Sequence, residues 1–194
     1  MASARGKLIV IAGPSGVGKG SVVKELLSQM GSRLALSVSV TTRTPRASEV
    51  DGRDYYFLDE AAFQQLIDSD GLLEWAEVFG NRYGTPGEFV DRQRAAGRDV
   101  LLEIDVQGAR QVRGRVPDAV LILLKPPSME ELGRRLRGRG TESEEKIQLR
   151  LSEATRELAQ ADVFDHQVEN DDLLRASSQV ADIIEATHPK DVHT

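Results

Sequence analysis

Gly13-Pro14-Ser15-Gly16-Val17-Gly18-Lys19-Gly20 is the stretch whose reading decides the fold. An apolar run, Leu8-Ile9-Val10-Ile11-Ala12, precedes it. Ser21-Val22-Val23-Lys24-Glu25-Leu26-Leu27, of helical composition, follows it. The order is therefore strand, glycine loop, helix. Glycines at 13, 16 and 18 let the backbone turn its N–H groups inward, where they hold an anion. The helix that begins next adds its positive dipole end at the same point. Lys19 then reaches the outer phosphates of a nucleoside triphosphate. Gly20 stands where this loop pattern usually carries the Ser or Thr that contacts magnesium, and Ser21 comes one residue late. A tight glycine turn without a ligand is the bland alternative. The flanking strand and helix supply the context that favours a phosphate-binding loop.

A length of 194 residues fits one compact domain carrying small inserted segments. The 40% hydrophobic share is enough for a core, and a net charge of −6 predicts no general attraction to nucleic acid or membrane. The cations are uneven, 19 Arg against 6 Lys. Arginine suits forked contacts to phosphate, so local clusters matter more than the total. Zero cysteines exclude disulfides and cysteine metal sites, and a reducing compartment fits. The apolar run at 8–12 is far too short to span a membrane, and no signal peptide is visible. Cytoplasm is the expected location; a homo-oligomer is left open.

Farther along, residues 34–40 (LALSVSV) alternate as one strand. Short strands are expected at 54–59 and 72–78, a helix at 60–68 between them, and a turn at 79–84 leading to another strand. Thr85-Pro86-Gly87-Glu88 reads as a helix start, with Thr85 as cap and Glu88 completing a capping box. DVLLEIDV (99–106) is a buried parallel strand, and residues 119–124 form another, with a short helix from 107 to about 115 between them. Ser128 and Glu131 spell a second capping box. Helices follow to about 138, over 142–161 and over 171–186, with a last strand at 165–169. Strands alternating with helices around a glycine loop predict a three-layer α/β core of the P-loop NTPase kind, with a parallel sheet. Its segments are 1–37, 97–133 and 160–194. A small mixed α/β insertion spans 38–96, and a helical lid spans 134–159.

Four constellations carry chemistry. In SVSVTTRTPR (37–46), Arg43 and Arg46 flank a stiffening proline and make an anion fork; solvated loop arginines are the alternative. Tyr55 and Tyr83 add phenolic donors. Glu74, in LLEWAEV (72–78), shares a strand face with Leu72, Ala76 and Val78, so it needs a partner. Guanine's N1–H and N2–H₂ form a paired donor edge that one carboxylate accepts, with Thr85, besides its reading as a helix cap, a candidate contact to O6. An ion pair with a nearby arginine is the alternative for Glu74. Glu103 and Asp105 end their strand facing the glycine loop, as candidates for magnesium's water shell, Lys19 or a second nucleotide, or as exposed strand-end groups. Arg134, Arg135, Arg137, Arg139 and Arg150 straddle a Gly138-Arg139-Gly140 break, either as a hinged flap over phosphates or as a helix face balanced by glutamates.

Together these motifs closely resemble the guanylate kinase family, of the bacterial type, over residues 6–186. The resemblance rests on GPSGVGKG (13–20), SVSVTTRTPR (37–46), GRDYYF (52–57), EWAEVFGNRYGT (74–85), EIDVQG (103–108), GRGTES (138–143) and VENDD (168–172). It implies transfer of the γ-phosphoryl group from ATP to GMP, and to dGMP, with magnesium, in purine metabolism and GMP recycling. Ser39, Arg43, Arg46, Tyr55 and Tyr83 would bind the GMP phosphate; Glu74, Thr85 and Asp105 would read guanine. Gly13, Pro14, Ser15, Gly16, Val17, Gly18, Lys19, Gly20 and Ser21 would hold ATP, with Ser21 a weak contact to a metal held by phosphates and water. Arg135, Arg139 and Arg150 would close from the lid, Arg150 reaching the GMP side as well. Asn170 would approach adenine, and Glu103 would sit near Lys19 and the metal. The resemblance assigns catalysis to Lys19, Arg43, Arg139 and Arg150. Thr85 and Glu103 depart from the commoner Ser and Asp. The rivals are a kinase for another nucleoside monophosphate and a related binding module without catalysis.

Overall fold

A computed structural model of the chain describes residues 5–138 and 143–188. The run before the glycine loop forms β1 (Leu8–Ala12), fully buried. It is the central strand of a parallel sheet ordered β2 (Leu34–Leu36), β7 (Asp99–Glu103), β1, β8 (Val120–Lys125), β9 (His166–Glu169). Val10 pairs with Leu102 on one side and Leu121 on the other. A strand covered on both faces reads as a continuous apolar run, which is why β1, β7 and β8 were legible. Alternation then sends their side chains to two cores. Ile9, Ile11, Leu101 and Ile122 pack under α1 (Lys19–Met30) and α7 (Leu173–Ala186). Leu8, Val10, Leu102 and Leu121 pack under α3 (Gly87–Ala95) and α4 (Val106–Arg115).

A second sheet is ordered β4 (Tyr56–Phe57), β3 (Val40–Thr41), β6 (Asn81–Pro86), β5 (Leu72–Val78). Helix α2 (Glu60–Asp68), capped by the Asp59 side chain on the Ala62 N–H, inserts Phe63 between Val40 and Leu72. The β5–β6 hairpin turns on Phe79 and Gly80, at φ of 52° and 74°. Two consecutive positive φ values match the twist of the flanking strands. Helices α5 (Met129–Gly138) and α6 (Glu144–Leu158) pack on each other through Leu132, Leu136, Ile147 and Ala154.

Several expectations change. The stretch 34–40 is two strands in two sheets, because the chain leaves the parallel sheet after Leu36 and enters the other at Val40. Thr85 does not cap α3. It lies inside β6, and the N-cap is Pro86, without a side-chain bond. Strand β7 stops at Glu103, and Asp105 instead caps α4, accepting from the Gly108 N–H at 2.7 Å. At the second expected box Ser128 accepts from the Glu131 N–H at 3.1 Å, while the Glu131 carboxylate turns to Arg134 and Arg135. The register of β5 against β6 slips between Leu72 and Glu74. This bulge puts Leu72 in the Phe63 cluster, so the face of Glu74 continues through Ala76 and Val78 without Leu72.

Candidate active site

The carboxyl ends of β1 and β7 open on a cleft of about 540 Å³ between the two sheets. Its floor is the glycine loop. Gly18 ends that loop at φ 99° as the N-cap of α1, and a Cβ there would stand 2.5 Å from the Asn170 amide nitrogen. Glycine is thus required twice over, by conformation and by space. The Lys19 ammonium donates to the Gly13 carbonyl oxygen at 2.5 Å. The loop is braced from behind. Asn170, 6% exposed, donates to the Val17 carbonyl at 2.8 Å. Arg135 donates to the same carbonyl at 3.2 Å and to the Asn170 carbonyl at 2.9 Å.

The opposite wall carries Ser39, Arg43, Arg46, Tyr55 and Tyr83. Arg43 is held rather than solvated. Its side chain is 15% exposed, and its guanidinium lies 5.4 Å from the Tyr55 ring centroid. Burial pushes the Tyr55 phenol up to about 12, with the charge of Glu103 adding to it, so Tyr55 is a neutral hydroxyl donor. Arg46 is more exposed, closer to the solvated alternative.

Glu74 lies between these walls, 3% exposed. Among the described residues no arginine pairs with it: Thr85 donates to its Oε1 at 2.6 Å. The price of that burial is met partly by this bond, because desolvation still pushes the Glu74 carboxyl up to about 7, with Asp105 adding repulsion. Its Oε2 stands 2.3 Å from where a Cβ on residue 108 would be, so Gly108 makes room for it. Burial also raises Glu103 and Asp105, and Lys19 opposes the rise in both.

Arg150, from α6, also lines the cleft. It donates to the Ser15 hydroxyl at 2.9 Å, and its guanidinium stacks 4.3 Å from the Phe79 ring centroid. The arginine cluster divides. Arg134 and Arg137 are in ion pairs with Glu131 and Glu144, the glutamate-balanced face. Arg139 lies outside the described residues.

So the cleft gathers most of the expected residues. Val17 and Thr85 are buried behind its surface, and Arg135 and Asn170 reach it through the loop they hold. Sequence reading missed Glu153 and Glu157, which also line the cleft. Burial pushes Glu157 up to about 7. A signal existed: Arg150, Glu153 and Glu157 fall three and four residues apart, on one helix face. It also missed Glu49, which pairs with Arg43. Among the described residues no helix is long and apolar enough to cross a membrane.

Comparison with known proteins bears directly on this geometry. The family model described as guanylate kinase matches residues 5–187. A guanylate kinase of Bacillus cereus is 50% identical over 188 residues, 97% of this chain and 92% of that protein. One from Thermobifida fusca is 54% identical over 180 residues, 93% and 91% of the two chains. The crystal structure of guanylate kinase from Anaplasma phagocytophilum superposes with a TM-score of 0.82 at 33% identity, covering 98% of this chain and 90% of that one. With its glycine loop, its buried Glu74 and this breadth of likeness, the chain belongs to the guanylate kinase family and transfers a phosphoryl group from ATP to GMP.

Proposed function

We propose that ATP and GMP enter the cleft from opposite sides, with Gly13–Ser21 taking the phosphates of ATP and the Arg43 wall taking the phosphate of GMP. Ser39, Arg46, Tyr55 and Tyr83 complete that wall. The observation that carries the reading is Glu74, a buried carboxylate aimed into the cleft and oriented by Thr85. Its acceptor pair matches the donor edge of guanine, which adenine lacks. Asp105 sits beside it, at the N-terminus of α4.

The acceptor oxygen is already anionic, so no general base is required. The obstacle is repulsion. Two unit charges about 4 Å apart repel by roughly 4 kcal/mol at an effective dielectric near 20. Lys19, Arg150 and Arg43 offset that charge, and the cleft aligns donor and acceptor in line. Arg139 is assigned to the same group by its motif position. Asn170 and Arg135 serve ATP through the loop. Segments 38–96 and 134–159 close over the core of 1–37, 97–133 and 160–194 and exclude water.

Kinases of this family use a divalent metal with ATP, and we assign it as magnesium. The residues fit. A Cβ on Gly20 would stand 3.6 Å from Glu103 Oε1, so that carboxylate lies in contact with the place where the Ser or Thr side chain would begin. Ser21 and Glu103 offer the hard oxygen donors that magnesium takes. Among the described residues no group of three or more metal-type side chains gathers. Bound there, magnesium neutralises phosphate charge.

dGMP is accepted as well, and the enzyme works in the cytoplasm, recycling GMP for purine metabolism. An acceptor panel of GMP, dGMP, AMP, UMP and dTMP with ATP and magnesium tests the reading. Turnover is expected with the two guanine nucleotides; AMP or a pyrimidine nucleotide at comparable kcat/KM would overturn it.

A further inference from the structure

We propose that Glu49 is a positioning residue for the acceptor phosphate, acting through Arg43 and Arg46. The proposal rests on the reading of those two arginines as the GMP-phosphate wall. The Glu49 carboxylate accepts from Arg43 Nη2 with both oxygens, at 2.8 and 3.0 Å. The same carboxylate accepts the Arg46 main-chain N–H at 2.8 Å, and its Oε1 lies 3.7 Å from the Arg46 guanidinium. One acidic side chain thus ties together both arginines and the backbone between them.

Its carboxylate is turned to the arginines. Arg43 and Arg46 line the cleft and Glu49 does not. Glu49 is 13% exposed, set behind the arginines. Arg43 is further confined by Tyr55 and Phe57, with its guanidinium 5.4 and 5.9 Å from their ring centroids, and by a bond from Nη1 to the Thr44 carbonyl at 2.7 Å. A guanidinium has five N–H donors. Glu49 and Thr44 take donors from its two terminal nitrogens and leave others for the cleft. Burial opposes ionisation of Glu49, but the hydrogen bonds from Arg43 and the Arg46 N–H outweigh it and hold the carboxyl below its ordinary value.

The physical consequence is preorganisation. A free arginine gives up rotamer freedom when it grips a phosphate. Here Glu49 has already fixed the fork. A carboxylate in the cleft would compete with the phosphate for Arg43; one behind it leaves the cleft side open while holding the geometry.

The test is steady-state kinetics on Glu49→Gln, Glu49→Asp, Arg43→Ala and the Arg43→Ala/Glu49→Gln double variant. Loss of one charge-assisted contact predicts a rise of about tenfold in KM for GMP in Glu49→Gln. kcat is expected within about threefold and KM for ATP within about twofold of the parent. Glu49→Asp, which retains the charge one methylene farther back, is expected to fall between parent and Glu49→Gln, and it supplies the readout should the Gln variant not fold. In the Arg43→Ala background the effect of Glu49→Gln shrinks to about twofold, because the side chain it positions is gone. A raised KM in Arg43→Ala with an unchanged or lowered KM in Glu49→Gln overturns the positioning role and leaves the phosphate wall intact. An unchanged KM for GMP in Arg43→Ala overturns the wall, and this proposal with it. A uniform fall in kcat with both KM values steady would mark a merely structural contact and overturn it too.

Discussion

Replacing Glu74 by Gln tests the guanine site through two opposed effects of one buried proton. The side chain is 3% exposed, with Oε1 bonded to Thr85 at 2.6 Å. Its carboxyl is pushed from 4.5 up to about 7 by burial. The folded chain therefore keeps a proton that the unfolded chain releases across that window. Stability falls as pH rises from 4.5 to about 7, and the gap corresponds to about 3 kcal/mol. Gln has no proton to lose, so Glu74→Gln is expected to lack this slope and to match or exceed the parent's stability at about pH 8. Activity moves the other way. Guanine presents two donors, and the amide offers one acceptor and one donor. A donor facing a donor in a dry site costs on the order of 3 kcal/mol, or about 100-fold or more in kcat/KM for GMP. KM for ATP stays near the parent value. The parent's kcat/KM for GMP is expected to fall about tenfold per pH unit below about pH 7, as the carboxylate that accepts both donors is protonated. Urea unfolding between about pH 5 and 8, with ADP formation over the same range, makes both measurements. A variant that loses stability at about pH 8 while keeping kcat/KM for GMP within about threefold of the parent would refute the argument.

Other substitutions probe the remaining parts. Lys19→Ala should lower kcat by about 100-fold or more while KM for GMP changes little, since the ammonium serves the transferred phosphoryl group; quench-flow or coupled assays decide, and near-parent turnover removes that role. Gly108→Ala places a methyl 2.3 Å from Glu74 Oε2 and should raise KM for GMP, leaving KM for ATP unchanged. Helix α4 gains propensity from the change, so a thermal melt is expected to move little; a large drop would mean the Glu74 side chain cannot shift. Asn170→Ala removes one of the two donors to the Val17 carbonyl and leaves Arg135 as the other. A loss of about 1 kcal/mol in stability, with a raised KM for ATP, is expected, and an unaltered KM would detach the brace from nucleotide binding.

The parts read correctly from the chain are those governed by local rules. The glycine loop, the doubly covered strands β1, β7 and β8, and the apolar faces of the closing helices each follow from a short stretch of residues. Thr85 shows where local rules stop: its neighbours spell a helix cap, but a buried carboxylate across the hairpin takes its hydroxyl. The split of 34–40 and the bulge at Leu72 were equally illegible, because pairing partners far along the chain decide them.

The amino-acid order by itself determined the strand–glycine loop–helix unit, the alternating α/β plan and the residue types of the proposed guanine site. Backbone conformation and hydrophobic period depend on neighbours within one turn or one strand. The tertiary structure alone decided which charges pair and which stay available to substrate. Glu49 behind Arg43, Asn170 beneath Val17 and Glu103 beside Gly20 are contacts between segments separated in sequence or folded back through a loop. Charge distance and desolvation exist only after folding, so no reading of spacing could assign them.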